Sequence, residues 1–488
     1  MNILLATAEI SPIAKSGGMA DVTSYLTSEW SNLGHNVISV MPAYKFIDYD
    51  KFNIIKTDIS FEVPMGFRNE TANVYKTTLA GSDATIYLIG HDEFFDSEYL
   101  YGNKLEDDND DRRFLFFSKA IPELCKAINY KPDIVNCHDY LTAFLIPILK
   151  TQYKNDDLFK DVGTVFTIHN LSYQGRFDKY RVLSFTGMKY SEFDVGSWFE
   201  HEGKVNFMKT GIMYADKIVT VSPTYSEEIK RAYYSEGLQD AINSRLRDIV
   251  GILNGVDYNL WGPEHDIYIS KNYNEHSLDI KAELKKEYLS NAGIPEKKHH
   301  LPLISMITKL KDQKGIDLVA KKIYKLMKSN KFIFAVLGAG EEQYEEMLSE
   351  TKSNFPDNII VDFSFDEKQT HILLAATDFL LMPSKYEPCG LTQMYALRYG
   401  TVPIVRSTGG LADTIKEYST EKQRGTGITF PHYNRDEMEN AINKALSIYN
   451  SDIHYNQIRN NGMAKNYSSL KSAKKYITLF KEVIDEMN

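Results

Sequence analysis

Residues 2–41 read NILLATAEISPIAKSGGMADVTSYLTSEWSNLGHNVISVM, and their pattern decides the fold. NILLATAEI is a short apolar run, and Lys15-Ser16-Gly17-Gly18 is a glycine-containing turn. From Ala20 onward, Val22, Tyr25, Leu26, Trp30 and Leu33 fall at helical spacing. Gly34-His35-Asn36 stops that helix, and VISVM at 37–41 begins another strand. Strand, turn, helix, strand is a βαβ unit, which predicts a parallel sheet covered by helices.

The theme continues outward. TIYLIG at 85–90, DIVNCHD at 133–139, VGTVFTIHN at 162–170 and KIVTVS at 217–222 are further short apolar runs ending in polar or glycine-containing sequence. Open α/β sheets bind ligands at the carboxyl ends of their strands, where His138, Asp139, His169 and Asn170 fall. A second series begins near 302, with LPLISMIT, KFIFAVLG, NIIVDF, DFLLMPS and TVPIVRS as strand candidates. Helical patterns such as 315–329 and 391–399 separate them. The polar stretch 255–300 lies between the two series and marks the domain boundary. At 468–487, Leu470, Ala473, Ile477, Phe480 and Ile484 recur at helical spacing, a terminal helix that needs a surface. With about 150 residues per domain, 488 residues accommodate two large domains. The fold expected is α/β, two doubly wound Rossmann-like domains facing a central cleft suited to a nucleotide-type ligand and a second substrate.

Composition excludes several classes. Hydrophobic residues are 43% and charged residues 25%, an ordinary globular balance that rules out disorder as the dominant state. A net charge of −10 lacks the footprint of a nucleic-acid or anionic-membrane binder, so neither is an expected partner. Local basic residues can still hold a small anionic ligand. Cys125, Cys137 and Cys389 form no CxxC pair and read as reduced thiols of a cytosolic protein. The N-terminal stretch has no basic segment typical of a signal peptide, and no run approaches the ~18 apolar residues of a membrane span. The expected location is the cytoplasm, or a stroma-like compartment if this is the mature form of a plastid protein.

Four glycine- or lysine-bearing turns carry possible chemistry. At Lys15-Ser16-Gly17-Gly18, backbone N–H groups at a helix start can approach an anion beside a mobile cation; a tight turn with a solvated lysine fits equally. Lys309 and Lys314 in ITKLKDQKGIDL follow the first strand of the second series, placed to clamp a diphosphate or simply to be solvated. Glu387-Pro388-Cys389-Gly390-Leu391-Thr392 opens a helix whose first N–H groups suit phosphate or ribose oxygens, while Glu387 reads as a sugar ligand or a cap. Ser407-Thr408-Gly409-Gly410 repeats the strand–Gly-Gly–helix design. Other features read as bland. Asp108-Asn109-Asp110 is formally DxD but reads as a solvated helix start, and Gly338-Ala339-Gly340 reads as a tight turn. Cys389 reads as a packing residue, and His138 and His169 lack metal-ligand spacing, so no metal is expected.

Together these segments resemble the bacterial glycogen synthase and plant starch synthase family, retaining glycosyltransferases of glycosyltransferase family five with the two-domain GT-B fold. The resemblance spans nearly the whole chain. It is carried by KSGGMADV at 15–22, HNLSYQGRF at 169–177, YADKIVTVSPTYSEEI at 214–229 and GILNGVDYNLW at 251–261. The most specific stretch is EPCGLTQMYALRYGTVPIVRSTGGLADT at 387–414. It implies a first, acceptor-side domain of 1–253 with 469–488 crossing back to it, and a nucleotide-sugar donor domain of 254–468. It further implies glucose transfer from ADP-glucose, with retention, to the non-reducing 4-hydroxyl of an α-1,4-glucan such as glycogen, starch or a maltooligosaccharide, without a cofactor.

Carried over residue by residue, the resemblance puts Lys15 and the amides around Gly17 and Gly18 on the donor diphosphate, with Asp21 near the donor. Lys309 and Lys314 would clamp the same diphosphate. Glu387 would hold the glucosyl ring, with Gly390, Leu391 and Thr392 on phosphate and ribose. Asp139, His169 and Asn254 would surround the transferred glucose, and Phe365 would stack on the base. The chain departs from the family where Lys309 and Lys385 stand for usual arginines, which keeps charge but loses the bidentate fork. Competing readings are a UDP-glucose-preferring synthase, a catalytically weak glucan-binding scaffold, and a phosphorylase, for which no pyridoxal lysine is identifiable.

Overall fold

The computed structural model describes residues 1–96, 99–101, 109–364 and 366–487. They divide into two compact units, Met1–Ile252 with Ser469–Asn488, and Leu253–Ser468.

The first unit is built on a nine-stranded sheet. Its strands are β1 (Asn2–Ala6), β2 (Asn36–Pro42), β3 (Ile55–Met65), β4 (Arg68–Thr78), β5 (Thr85–Gly90), β6 (Ile134–His138) and β7 (Gly163–Ile168). A small separate sheet holds β8 (Arg176–Phe177), β9 (Glu200–His201) and β10 (Lys204–Asn206), before β11 (Lys217–Thr220) and β12 (Ile249–Gly251) complete the large one. The order is β12-β11-β7-β6-β1-β2-β5-β4-β3. All pairs from β12 to β5 are parallel, whereas β5-β4-β3 is antiparallel. Every residue of β6 and β7 is buried, as continuous apolar runs in a sheet covered on both faces require. The helix Gly18–Asn32 packs on this sheet with the terminal helix Ser469–Met487 beside it. Trp30 meets Tyr476 and Phe480 edge-on at 5.7 and 5.1 Å and donates its indole N–H to Ala473 O at 3.2 Å. Leu470, expected on the apolar face, stays 37% exposed, and Tyr476 takes the central place.

The second unit carries six parallel strands: β13 (Leu303–Ile307), β14 (Ile333–Leu337), β15 (Ile359–Asp362), β16 (Phe379–Met382), β17 (Val402–Arg406) and β18 (Ile428–Phe430). Their order is β15-β14-β13-β16-β17-β18. The five expected strands all form. The helix expected over 315–329 is instead Ile316–Ala320 and Ile323–Lys328, preceded by a 3₁₀ turn at Asp312–Lys314. The break falls at Lys322, whose ammonium is drawn to Asp436 and Glu439 on the helix Arg435–Tyr449.

The acidic start of the helix Asp110–Ala127 is not solvated as expected. Asp110 and Asp111 are each 1% exposed. Arg113 and Tyr140 donate to Asp110, and Arg181 grips Asp111. Asp108, the first member of that DxD, lies outside the described residues.

Candidate active site

In each sheet one strand has neighbours that lead the chain in opposite directions, and open α/β sheets bind ligands outside the carboxyl ends at such a switch point. In the first unit it falls between β1 and β6, and in the second between β13 and β16.

At the first switch point, the loop after β1 folds over Glu9, which is fully buried. Glu9 accepts from the Ser16 N–H at 2.5 Å, the Ser16 hydroxyl at 3.2 Å and the Tyr101 hydroxyl at 2.9 Å. That carboxylate fixes the turn leading into Gly17, an extended residue at the start of the helix, which has no side-chain cap. Nothing lies within 4 Å of where a Gly17 Cβ would stand, so open space borders this turn, and the first amides of the helix have no partner within it. Lys15 pairs with Asp21 at 2.8 Å, half-exposed. Across the switch point, β6 delivers His138 and then Asp139, which sits at φ 56°, ψ −179°, a conformation costly for any residue but glycine. The Asp139 carboxylate accepts the His169 N–H at 2.7 Å, and the Asn170 N–H lies at 3.5 Å. Burial pushes its pKa up to about 7 against those two N–H groups, with Glu9 adding repulsion. His169, at the end of β7, bonds His138 at 2.8 Å, and burial lowers its pKa to about 3. Beyond it a pocket of about 390 Å³ is lined by Tyr140, Tyr173, Gln174, Arg176, Phe177 and Glu236 among others.

At the second switch point, β13 leads into Lys309 and Lys314, and β16 into Ser384 and Glu387. The Lys314 ammonium holds both carboxylate oxygens of Glu387, at 2.9 and 2.8 Å, and the Ser384 hydroxyl donates to one of them at 3.0 Å. Glu387 is 5% exposed, so it acts here as a buried carboxylate held by Lys314 and Ser384 rather than as a helix cap. An ammonium has three N–H donors, which leaves Lys314 one beyond Glu387. The helix after Gly390 begins at Thr392 with Leu391 as its cap position and no capping side chain. The Gly-Gly of the next turn has a specific cause. Gly409 has φ +43°, and a Cβ there would lie 2.0 Å from Glu387 O, while the Gly410 N–H donates to that same oxygen at 3.1 Å. One turn thus braces the backbone of the other. Gly338 and Gly340 are likewise more than a tight turn: a Cβ on either would strike Thr308 O or Leu310 O, so this GxG lies flush against the loop bearing Lys309. Asn254 is buried, and its Oδ1 has no hydrogen-bond partner among the described residues.

The structure therefore brings together Lys15 with Asp21, Asp139 with His169, and Lys314 with Glu387. Lys309 is exposed, and Lys385 is exposed with its N–H on Gln313 O at 2.8 Å. Phe365 lies outside the described residues. Burial pushes the Cys389 thiol well up, which suits packing rather than nucleophilic attack. Among the described residues no group of three or more His, Cys, Asp or Glu side chains is arranged to hold a metal ion, and no helix is long and apolar enough to cross a membrane. Sequence reasoning missed Glu9, Ser384 and Asn136. The signal for Asn136 is a polar residue alternating with His138 inside an otherwise apolar strand.

Residues 2–244 match the family described as starch synthase catalytic domain, and residues 290–465 match glycosyl transferases group 1. The chain is 38% identical to a glycogen synthase of Alkaliphilus metalliredigens over 486 residues, covering 99% of this chain and all of that one. A Bacillus subtilis glycogen synthase is likewise 38% identical, with 99% and 98% covered. Among solved structures, the catalytic domain of starch synthase IV from Arabidopsis thaliana, bound to ADP and acarbose, superposes with a TM-score of 0.91 at 29% identity over 99% of both chains. A sucrose-phosphate synthase from Thermosynechococcus elongatus shares the fold, at 14% identity and a TM-score of 0.63.

Proposed function

This chain belongs to the glycogen and starch synthase family, retaining glycosyltransferases of GT-B fold, and from that membership we propose how its own residues carry the transfer. The donor is ADP-glucose and the acceptor the non-reducing end of an α-1,4-glucan, in the cytoplasm. Residues 1–253 with 469–488 serve the acceptor side, and 254–468 bind the donor.

Breaking the anomeric bond leaves an oxocarbenium-like sugar and adds negative charge to the departing diphosphate. Lys309 and the remaining N–H of Lys314 take up that charge, with Lys15 and the amides of Gly17 and Gly18 acting from the first unit. Asp21 holds Lys15 in place. Glu387, itself held by Lys314 and Ser384, accepts hydrogen bonds from the sugar hydroxyls, while the Gly390, Leu391 and Thr392 amides meet phosphate and ribose. Asp139 in its ionised form, His169 and Asn254 surround the glucose. The acceptor hydroxyl attacks on the same face as the leaving group, which takes up its proton, so no covalent nucleophile is assigned.

The observation that carries the reading is the pairing of Lys314 with the buried Glu387 at a switch point, in a chain matched end to end by glycogen synthases. The test is nucleotide release from ADP-glucose and UDP-glucose, each with and without glycogen. Glucan-dependent ADP release with chains lengthened by α-1,4 units supports it. Preference for UDP-glucose would replace the donor, and glucan binding with no release from either would replace the enzyme by a scaffold.

A further inference from the structure

His138 touches neither open pocket nor solvent, being 0% exposed, yet it bonds to one of the residues assigned to the glucose. Its hydrogen bonds determine where the protons lie. Asn136 places its Nδ2 3.0 Å from Val165 O and 3.0 Å from Thr167 Oγ1. A backbone carbonyl can only accept, so the amide nitrogen must face Val165 and the amide oxygen must face the other way. That oxygen lies 2.8 Å from His138 Nε2. An amide oxygen accepts, so His138 Nε2 carries a proton.

His138 Nδ1 lies 2.8 Å from His169 Nε2. Two imidazoles at that distance share one proton, and a ring with no exposure does not keep a charge without a carboxylate beside it. His138 is therefore neutral, with a bare Nδ1 that accepts, and His169 Nε2 must donate. In the neutral His169 ring the second nitrogen, Nδ1, is then unprotonated. Among the described residues His169 Nδ1 has no hydrogen-bond partner and is not a buried orphan. Burial lowers both rings' pKa values, in keeping with neutral imidazoles. The Thr142 hydroxyl, donating to His138 O at 2.9 Å, and the His169 N–H on Asp139 hold the two backbones that carry the rings.

We infer that His138 is a positioning residue: oriented by Asn136, it locks His169 in the Nε2–H tautomer and so presents the Nδ1 lone pair as an acceptor for a ligand hydroxyl. Such a nitrogen recognises a group that donates a proton and rejects one that only accepts. The site thereby selects a sugar hydroxyl over a fluorine or ether oxygen at the position His169 meets. The inference rests on the proposed place of His169 beside the transferred glucose.

The test is nitrogen NMR of the full chain labelled with ¹⁵N-histidine, His169 being assigned by its loss in His169→Gln. The expected spectrum shows a protonated Nε2 and an unprotonated Nδ1 for His169 at neutral pH. His138→Phe removes the acceptor, so His169 becomes a tautomer mixture and kcat/KM falls on the order of 10–100-fold, the range for losing the partner that orients a functional imidazole. Asn136→Asp goes further. A carboxylate at that place stabilises His138 with a proton on both nitrogens, so His169 must accept at Nε2 and its proton moves to Nδ1. A purely structural role for His138 would leave the tautomer signals unmoved. A wild-type His169 protonated at Nδ1, or already mixed, overturns the inference; so does His138→Phe with full activity. If the variants fail to fold, the wild-type spectrum alone decides. A locked tautomer in a protein that transfers no glucose would overturn the transferase reading and with it the ligand role, while leaving the orientation of His169 by His138 standing.

Discussion

At the scale of single residues, charge placement sets the behaviour. Lys309 carries its positive charge as a point charge, without the planar fork of an arginine. Lys309→Ala should lower kcat/KM by about 10²–10³, the usual loss for one preorganised donor to a developing charge, and Lys309→Arg should match or exceed the wild type. Steady-state kinetics with ADP-glucose and glycogen check both, and a Lys309→Ala enzyme as fast as wild type would remove this lysine from the diphosphate. Asp139 governs the pH dependence. Burial lifts its carboxyl from 3.8 to about 7, so the ionised form that can stabilise an oxocarbenium-like sugar is lost as pH falls through 7. The acid limb of kcat/KM should therefore have its midpoint near 7, and Asp139→Asn should abolish that limb along with most of the rate. His169 does not supply it, since its ring stays neutral down to about 3. Stability should run the opposite way. The folded chain takes up a proton at Asp139 that the unfolded chain does not hold, so this group's contribution falls as pH rises from about 4 to 7. The Asp139→Asn protein should lack that decline in Tm over the same window.

At the scale of elements, the two glycine turns of the second unit form one device. The chain at Gly409 passes so close to Glu387 O that only a residue without Cβ fits, and its φ of +43° adds strain for any other residue. Gly409→Ala should cost about 1–3 kcal/mol in urea unfolding and displace the turn that carries Glu387, with kcat/KM falling further than stability alone explains. An unchanged rate would mean that the Glu387 turn is held without this brace. Much of this level was legible beforehand. Continuous apolar runs such as 162–170 and 217–222 could only be strands buried on both faces, and they formed β7 and β11 within a residue or two. The antiparallel pair β3 and β4 was not read, because at the sheet edge KTDIS and RNETA alternate polar residues that face solvent and give no apolar run. The acidic segment at 110–111 was misread for the converse reason. Its burial comes from Arg113, Tyr140 and Arg181, and two of these lie 30 and 70 residues away in sequence. Glu9 was silent likewise, since a lone carboxylate after a strand shows its role only when Ser16 and Tyr101 fold onto it.

At the scale of the whole molecule, the chain leaves its first unit at residue 252 and returns to it at 469, which makes the units unequal in what they need. The second unit has a complete core within one continuous segment, from Leu289 and Ile294 to Ile448, Tyr455 and Ile458. The first unit lacks a wall without its last twenty residues. Tyr476, Ile477, Leu479, Phe480 and Val483 of the terminal helix pack on Val22, Leu26 and Trp30, and each such side chain contributes about 1.5–3 kcal/mol when fully buried. A fragment of residues 253–468 should therefore unfold cooperatively by itself. A fragment of 1–252 should be molten or aggregate through the bared face around Trp30, and joining 469–488 to its end by a flexible linker should restore a cooperative transition. Circular dichroism melts of the three proteins measure this directly, and in the two that contain Trp30 its fluorescence, read in a Trp198→Phe background, reports whether the helix has docked. A sharp transition in 1–252 alone, with Trp30 already shielded from water, would mean that the returning helix is an accessory and that the first unit closes its core by other contacts.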